Sequence, residues 1–231
     1  MNQAFFTLST GMGGMAIFGS YIDKDHSLMG ESVNVIVLDT FVAILAGFII
    51  FPACSTYGLE VNAGPSLLFD TMASVFNHMA GGRIWGTMFF LFMIFAALST
   101  VLGVCENILA MVRELTGWSR PKGCIICGTG IFLLALTTAL GYSVIHFQPF
   151  AEGTAWLDLW DFIVSNNVLP LGSLVLTLFC CNKFGWGWDN FVREANTGRG
   201  LKIRPWMRPV FQYITLVIIV LIYVYGMETF Q

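Results

Sequence analysis

Asp39 is a carboxylate with apolar residues on both sides, seven residues after Ser32 and eight before Gly47. At the centre of a membrane helix a carboxylate costs about 2.5–3.5 kcal/mol on insertion scales, so it should face a bundle interior and meet a cation or a proton. A carboxyl hydrogen-bonded to a neighbouring helix for packing alone is the bland alternative. Further along, Ala96, Ser99, Thr100, Gly103 and Val104 fall at i, i+3, i+4, i+7 and i+8, making one small and partly hydroxylated helix face. Two oxygens side by side suit a hard monovalent cation such as Na⁺. Small and hydroxylated residues are also the usual contacts between membrane helices, and on spacing alone packing has the edge. Glu106, two turns beyond Ser99 on nearly the same face, is a second carboxyl at membrane depth, and the sequence names no partner for it.

The segment Phe5-Phe6-Thr7-Leu8-Ser9-Thr10-Gly11-Met12-Gly13-Gly14-Met15 sets a hydroxyl cluster and three glycines where hydrocarbon should be. A helix interrupted at that depth frees backbone groups, tolerated only where protein or a water-filled cavity receives them. Secondary transporters build ion and substrate sites from such breaks. Other chemistry is poorly supported. Cys124-Ile125-Ile126-Cys127 opens a membrane helix without a second pair or a histidine to complete a tetrahedral site. Cys180-Cys181 reads as helix packing, and His26, His78 and His146 lie in separate loops. No nucleophile and base occur at matched depth, which argues against an intramembrane enzyme.

These residues need membrane helices to position them. The chain is 56% hydrophobic and 11% charged, against roughly 25% charged residues in soluble domains. Apolar stretches near residues 1–22, 32–57, 84–114, 123–145, 157–181 and 207–227 give about six spans, the first of them broken, of an all-α integral membrane protein. With the amino terminus outside, ten of the eleven Lys and Arg residues fall on inner segments and only Arg83 on an outer one, a strong positive-inside signal for a multi-pass protein of the cell membrane. The net charge of −3 and the lack of a basic stripe argue against nucleic acid. Residues 58–82 are too apolar for a solvated loop and suggest an extracellular helical hairpin or lid. Trp186, Trp188 and Trp206 among basic residues read as an interfacial anchor. Because the break lies only a few residues after Met1, the outer half-helix is too short to reach the membrane surface at about 1.5 Å per residue, and the chain reads as a carboxyl-terminal piece of a larger protein.

Four motifs occur in order along the chain. They are Phe5 to Gly14 ending in Gly19-Ser20-Tyr21, Gly58-Leu59-Glu60 followed by Gly64-Pro65-Ser66-Leu67-Leu68-Phe69, Phe95-Ala96-Ala97-Leu98-Ser99-Thr100, and Leu157-Asp158-Leu159-Trp160-Asp161-Phe162. Together they resemble the neurotransmitter:sodium symporter family, in its bacterial amino-acid-transporting branch, with a LeuT-like fold. The resemblance covers essentially all of residues 1–231 as a single transmembrane region and implies helices six to eleven of a roughly twelve-helix fold. It implies that Thr7 and Asp39 contribute to a first sodium site and Ala96, Ser99 and Thr100 to a second. It also implies that Phe6, Ser9, Met12, Ser99 and Val104 line the substrate pocket, with Phe6 closing it from outside. Asp161 resembles the acidic member of the outer gate, and Glu114 with Tyr21 parts of the inner gate.

The expected function is therefore Na⁺-coupled symport of an amino acid by alternating access, with Na⁺ as the co-transported ion and no organic cofactor. The lipid bilayer and an amino-terminal half are the expected partners. At the Asp39 position many relatives carry a neutral Asn, and chloride-dependent relatives add a Ser one turn later, where this chain has Ala43. A fixed carboxylate there could supply the charge that chloride supplies elsewhere. The glycine-rich break leaves room for a bulky substrate, pointing to a hydrophobic or aromatic amino acid. Two rivals are a truncated product that transports nothing and a half that assembles with a separately encoded amino-terminal half.

Overall fold

The computed structural model describes residues 2–58, 67–141, 156–183 and 185–228, which form helices and no β-strand. The first span is two short helices, α1 (Asn2–Thr7) and α2 (Gly14–Tyr21), separated by turns. Then come α3 (Leu28–Thr56), α4 (Met72–His78) led in by a π-turn at Leu67–Thr71, α5 (Gly82–Thr116) and α6 (Arg120–Gly141). A composite span follows: α7 (Trp156–Asp161), a π-helical segment (Phe162–Val168) and α8 (Leu169–Cys181). A short α9 (Trp188–Ala195) leads to the last span, which begins with a 3₁₀ turn at Pro205–Met207 and a π-segment at Val210–Ile214 and continues as α10 (Thr215–Glu228).

Five of these helices are long and apolar enough to cross a membrane: Leu28–Thr56, Gly82–Thr116, Arg120–Gly141, Trp156–Cys181 and Pro205–Met227. Their side chains explain why they belong there. Phe48, Phe92, Leu102, Ile125, Phe132 and Val175 are all more than half exposed, a cost in water that disappears against lipid tails. At 35 residues α5 would run about 52 Å, longer than the hydrocarbon core, so it must tilt or project.

The chain divides into two compact units. In the unit comprising residues 1–31 and 103–231, α1 packs on the π-helical segment Phe162–Val168, on α8 and on α10, and α8 lies along α10. One end of it is closed by a small core of Cys181, Trp188, Ala195 and Ile203, with Phe191, Val192, Met207 and Phe211 packed around it. Trp188, Phe191, Val192 and Ala195 recur at i, i+3, i+4 and i+7, which gives α9 its apolar face. Trp188 is therefore a core residue and not part of an interfacial anchor, whereas Trp186 and Trp206 remain exposed. Asn196 ties this corner together. Its amide donates to the Ile203 carbonyl at 3.1 Å, and the Ile203 N–H donates to its Oδ1 at 2.7 Å. The α2–α3 connection is stitched to the segment after α9 by Arg199 N–H to Asp25 O at 2.7 Å, Ser27 N–H to Arg199 O at 3.0 Å and Ser27 Oγ to Leu201 O at 2.8 Å.

In the unit comprising residues 32–102, Cys54, Met72 and Val75 are buried with Ile50, Tyr57, Leu67, Phe76 and Phe89 around them. This seats the helix Leu67–His78 on the end of α3 and the start of α5. The expected hairpin over 58–82 thus contains one helix among the described residues, and residues 59–66, with the Glu60 and Gly64-Pro65 part of the motif, lie outside them. His146 also lies outside the described residues.

Candidate functional site

The break in the first span is built from three residues with left-handed backbone. Ser9 (φ 49°) is the one non-glycine with positive φ among the described residues, and Gly11 (φ 85°) and Gly13 (φ 75°) follow it. Such a conformation costs about 1–2 kcal/mol for an ordinary L-residue, which glycine avoids and Ser9 bears. A strained non-glycine residue of this kind is commonest at functional sites. The chain leaves α1 through a Schellman turn with Ser9 as its left-handed residue, Ser9 N–H donating to Phe6 O and Thr10 N–H to Phe5 O, both at 3.1 Å. It restarts at α2, where the N–H groups of Ala16 and Ile17 both donate to the Gly13 carbonyl. The freed Met12 carbonyl accepts from Asn107 Nδ2 at 3.4 Å, so α5 supplies one of the protein groups that an interrupted helix requires. Phe18 of α2 rests against Gly103 and Gly14 against Asn107, which seats α2 on this part of α5.

The other side of the break touches α8 backbone to backbone. A Cβ added at Gly172 would collide with the Gly11 carbonyl, and one added at Gly11 would collide with the Leu169 carbonyl and lie 2.8 Å from both Ser173 N and Oγ. The pairing of Gly11 with Gly172 was not apparent from the sequence, where Gly172 stands alone in an apolar run. Beside it lies a cavity of about 190 Å³ lined by Ser9, Thr10, Gly13, Met15, Ser173 and Thr177. The Ser173 residue is only 6% exposed, and its hydroxyl has no hydrogen-bond partner among the described residues.

On α5, the hydroxyls of Ser99 and Thr100 both donate to the Ala96 carbonyl, at 2.8 and 3.1 Å. The three oxygens expected to act together therefore converge on one point of the helix surface, with the lone pairs of both hydroxyls not used by these bonds. On α3, Asp39 is half-buried and has neither a hydrogen bond nor an ion pair among the described residues. Phe6 is half exposed.

A second polar cluster joins α2, α5 and α6. Tyr21 donates its hydroxyl to Glu106 Oε1 at 3.3 Å, and Arg120 at the start of α6 donates to Glu106 Oε2 at 2.8 Å. Glu106, for which the sequence offered no partner, thus has two, and Tyr21 is bonded to it and not to Glu114. Glu114 lies further along α5, lining a separate shallow cavity with Arg113 and Trp118. Asp161, expected from the sequence in an outer gate, ends α7 and accepts the Ser165 hydroxyl at 2.6 Å, which fixes its carboxylate at the edge of the π-helical segment. Among the described residues no group of three or more His, Cys, Asp or Glu could hold a metal ion. The arrangement offers oxygen ligands, backbone dipoles and hinges, which can bind and release ions and polar solutes.

The family model for the sodium:neurotransmitter symporter family matches residues 1–231. An uncharacterized sodium-dependent transporter of Bacillus subtilis, YhdH, is 32% identical over 179 residues, covering 78% of this chain and 40% of the relative. Sodium-dependent nutrient amino acid transporter 1 of Drosophila melanogaster is 23% identical over 243 residues, covering 99% of the chain and 36% of the relative. The chain therefore spans about two fifths of the length of these curated relatives. The crystal structure of MhsT in complex with L-phenylalanine superposes with a TM-score of 0.85 at 34% identity, over 98% of this chain and 51% of that one. With this helix order, a broken first span and a match from end to end, the chain belongs to the sodium:neurotransmitter symporter family.

Proposed function

We propose that this chain forms the half of a Na⁺-coupled amino-acid symporter that carries the second broken helix. The observation that carries the reading is the break itself, with Ser9 held in left-handed backbone and the Met12 carbonyl freed from helical bonding. In this reading Thr7 and Asp39 serve one sodium site and Ala96, Ser99 and Thr100 a second. The donation of both hydroxyls to Ala96 supports the second assignment, because it leaves two lone-pair-bearing oxygens on the same side of α5. Phe6, Ser9, Met12, Ser99 and Val104 contact the substrate. A hydrophobic or aromatic amino acid is favoured by the glycines of the break and by the L-phenylalanine bound to MhsT.

Transport proceeds by alternating access. Na⁺ and substrate bind near the midplane, and differential affinity for outward- and inward-facing states moves the site from one face to the other. Asp161 belongs to the outer gate, Tyr21 and Glu114 to the inner one, and residues 58–82 to an extracellular lid, with the amino terminus outside. A complementary amino-terminal half completes both sodium sites. The test is Na⁺-gradient-driven uptake of labelled phenylalanine, leucine and glycine into proteoliposomes, with this chain alone and with a complementary half. Uptake only in the combined sample is expected. Sodium-independent uptake, or a preference for glycine, would overturn the reading. Replacing chloride by gluconate should leave uptake unchanged, because Asp39 supplies the fixed charge; loss of uptake would refute that role.

A further inference from the structure

Where the composite span ends and the last span begins, the unit comprising residues 1–31 and 103–231 has a cavity of about 370 Å³. That volume is in the range of small-ligand sites, roughly 300–1,000 Å³. Two cations, Lys183 and Arg208, line it together with Leu178, Tyr213 and Leu216 and with the amide of Gln212. Gln212 is fixed at both ends of its amide: Nε2 donates to the Cys181 carbonyl at 2.8 Å, and Oε1 accepts from Arg208 Nε at 3.2 Å. The first bond caps the last carbonyl of α8, and the second holds the Arg208 guanidinium at the cavity. Neither cation is within ion-pairing distance of a carboxylate among the described residues. That includes Asp189, which lines an adjoining cavity with the same two cations.

Two cations that meet no carboxylate, one of them held by Gln212, beside apolar side chains call for an anion attached to something apolar. The depth is also informative. Trp206 is 66% exposed, Trp186 is 41% exposed and Tyr213 is 68% exposed, and aromatic rings of this kind mark the headgroup level of a bilayer. Leu178 and Tyr213 continue onto the lipid-facing sides of their helices, so an occupant can run from the cations into the hydrocarbon. We propose that this cavity is a headgroup site for an anionic phospholipid: Lys183 and Arg208 hold the phosphate, Tyr213 donates to it, and the acyl chains lie along Leu178 and Leu216. Basic pockets between membrane helices bind lipid headgroups in this way, each Lys or Arg near the surface strengthening association by about fivefold. The proposal does not depend on what the protein transports.

The chain would be purified in neutral detergent, stripped of lipid and titrated by native mass spectrometry with phosphatidylglycerol or phosphatidylcholine of identical acyl chains. We expect the first phosphatidylglycerol to bind at least tenfold more tightly than phosphatidylcholine. Lys183→Gln combined with Arg208→Gln should abolish that preference, whereas Lys24→Gln combined with Lys122→Gln should keep it. If the double variant does not fold by circular dichroism, Lys183→Gln alone decides, with phosphatidylglycerol binding expected to weaken by about fivefold. Equal affinity for the two lipids, or a preference that survives loss of both cations, overturns the proposal. So does displacement of phosphatidylglycerol by millimolar inorganic phosphate or glycerol phosphate, which would make this a site for a free anion.

Discussion

The contact between Gly11 and Gly172 can be tested with three alanine substitutions that separate backbone strain from collision. Gly172→Ala introduces no φ strain, since Gly172 is an ordinary helical residue of α8, and it gains about 0.5–1 kcal/mol of helix propensity. Against that, the new Cβ meets the Gly11 carbonyl, a main-chain atom that cannot rotate aside, and overpacking of this kind costs about 1–3 kcal/mol. The net loss is about 0–2.5 kcal/mol. Gly13→Ala is the reverse case. Its φ is 75° but nothing lies within 4 Å of the added carbon, so only the left-handed penalty of about 1–2 kcal/mol applies. Gly11→Ala combines a φ of 85° with contact to the Leu169 carbonyl and to Ser173, and should cost about 2–5 kcal/mol. Unfolding free energies from dodecyl sulfate titration in mixed micelles, followed by tryptophan fluorescence, would rank the three. A Gly172→Ala variant more stable than the parent would show that the two backbones do not approach closely. A Gly13→Ala loss equal to that of Gly11→Ala would show that strain alone, and not packing on α8, makes the break sensitive.

Three further outcomes are expected. Glu106→Gln removes the charge that Arg120 and Tyr21 share; because the Arg120 side chain is 60% exposed, a double-mutant cycle with Arg120→Gln should give a coupling no larger than about 1 kcal/mol in the same micelle assay. Asn196→Ala leaves the N–H and C=O of the buried Ile203 without their partner and should cost about 1–3 kcal/mol of unfolding free energy, with Asn196→Asp recovering only the bond that Oδ1 accepts. Ser99→Ala and Thr100→Ala, made in the assembled transporter, should each raise the Na⁺ concentration for half-maximal uptake by about tenfold, or ~1.4 kcal/mol, with little change in stability. A stability loss without a change in Na⁺ dependence would assign these hydroxyls to packing.

The spans were legible because a membrane helix is specified by length and hydropathy, both of which are local. The break was legible for a related reason: glycines and hydroxyls clustered in mid-hydrocarbon weaken a helix exactly where nothing but protein or trapped water can receive its freed backbone groups. Tertiary pairings were not local and went unread. Glu106 is fourteen residues from Arg120 and eighty-five from Tyr21, and nothing in the identity of a lone Glu says which cation or hydroxyl a turn will return to it. Gly172 gave no signal either, since a glycine in an apolar helix can mark close approach to lipid, to another helix or to nothing. The α9 helix could have been found. Its i, i+3, i+4, i+7 face was present in Trp188, Phe191, Val192 and Ala195, but grouping the tryptophans by residue type hid the period. The π-segments at Phe162–Val168 and Val210–Ile214 have no sequence signature of their own, although they are where α1 is received and where the last span begins.

The polar groups of this chain fall into two classes, and the division bears on function more directly than any single distance. One class is answered within the chain: Asn196 by Ile203, Glu106 by Arg120 and Tyr21, Gln212 by Cys181 and Arg208, Asp161 by Ser165. These bonds join one helix or loop to the next, or steady a single helix, and their loss should register as stability. The other class is not answered among the described residues. Asp39 has no partner, the Ser173 hydroxyl has none, and the charges of Lys183 and Arg208 are matched by no ion pair, although Gln212 accepts from Arg208 Nε. A membrane protein cannot leave a carboxylate at bilayer depth uncompensated without a cost of several kcal/mol, so Asp39 requires a cation, a proton or another helix. A cation makes Asp39 a ligand, whereas a proton or a neighbouring helix makes it a structural residue. Titrating Na⁺ against unfolding separates them: a ligand role predicts that Na⁺, but not K⁺, stabilises the protein, and that Asp39→Asn abolishes the difference while leaving stability in K⁺ unchanged or higher. A structural role predicts equal loss on substitution in either salt.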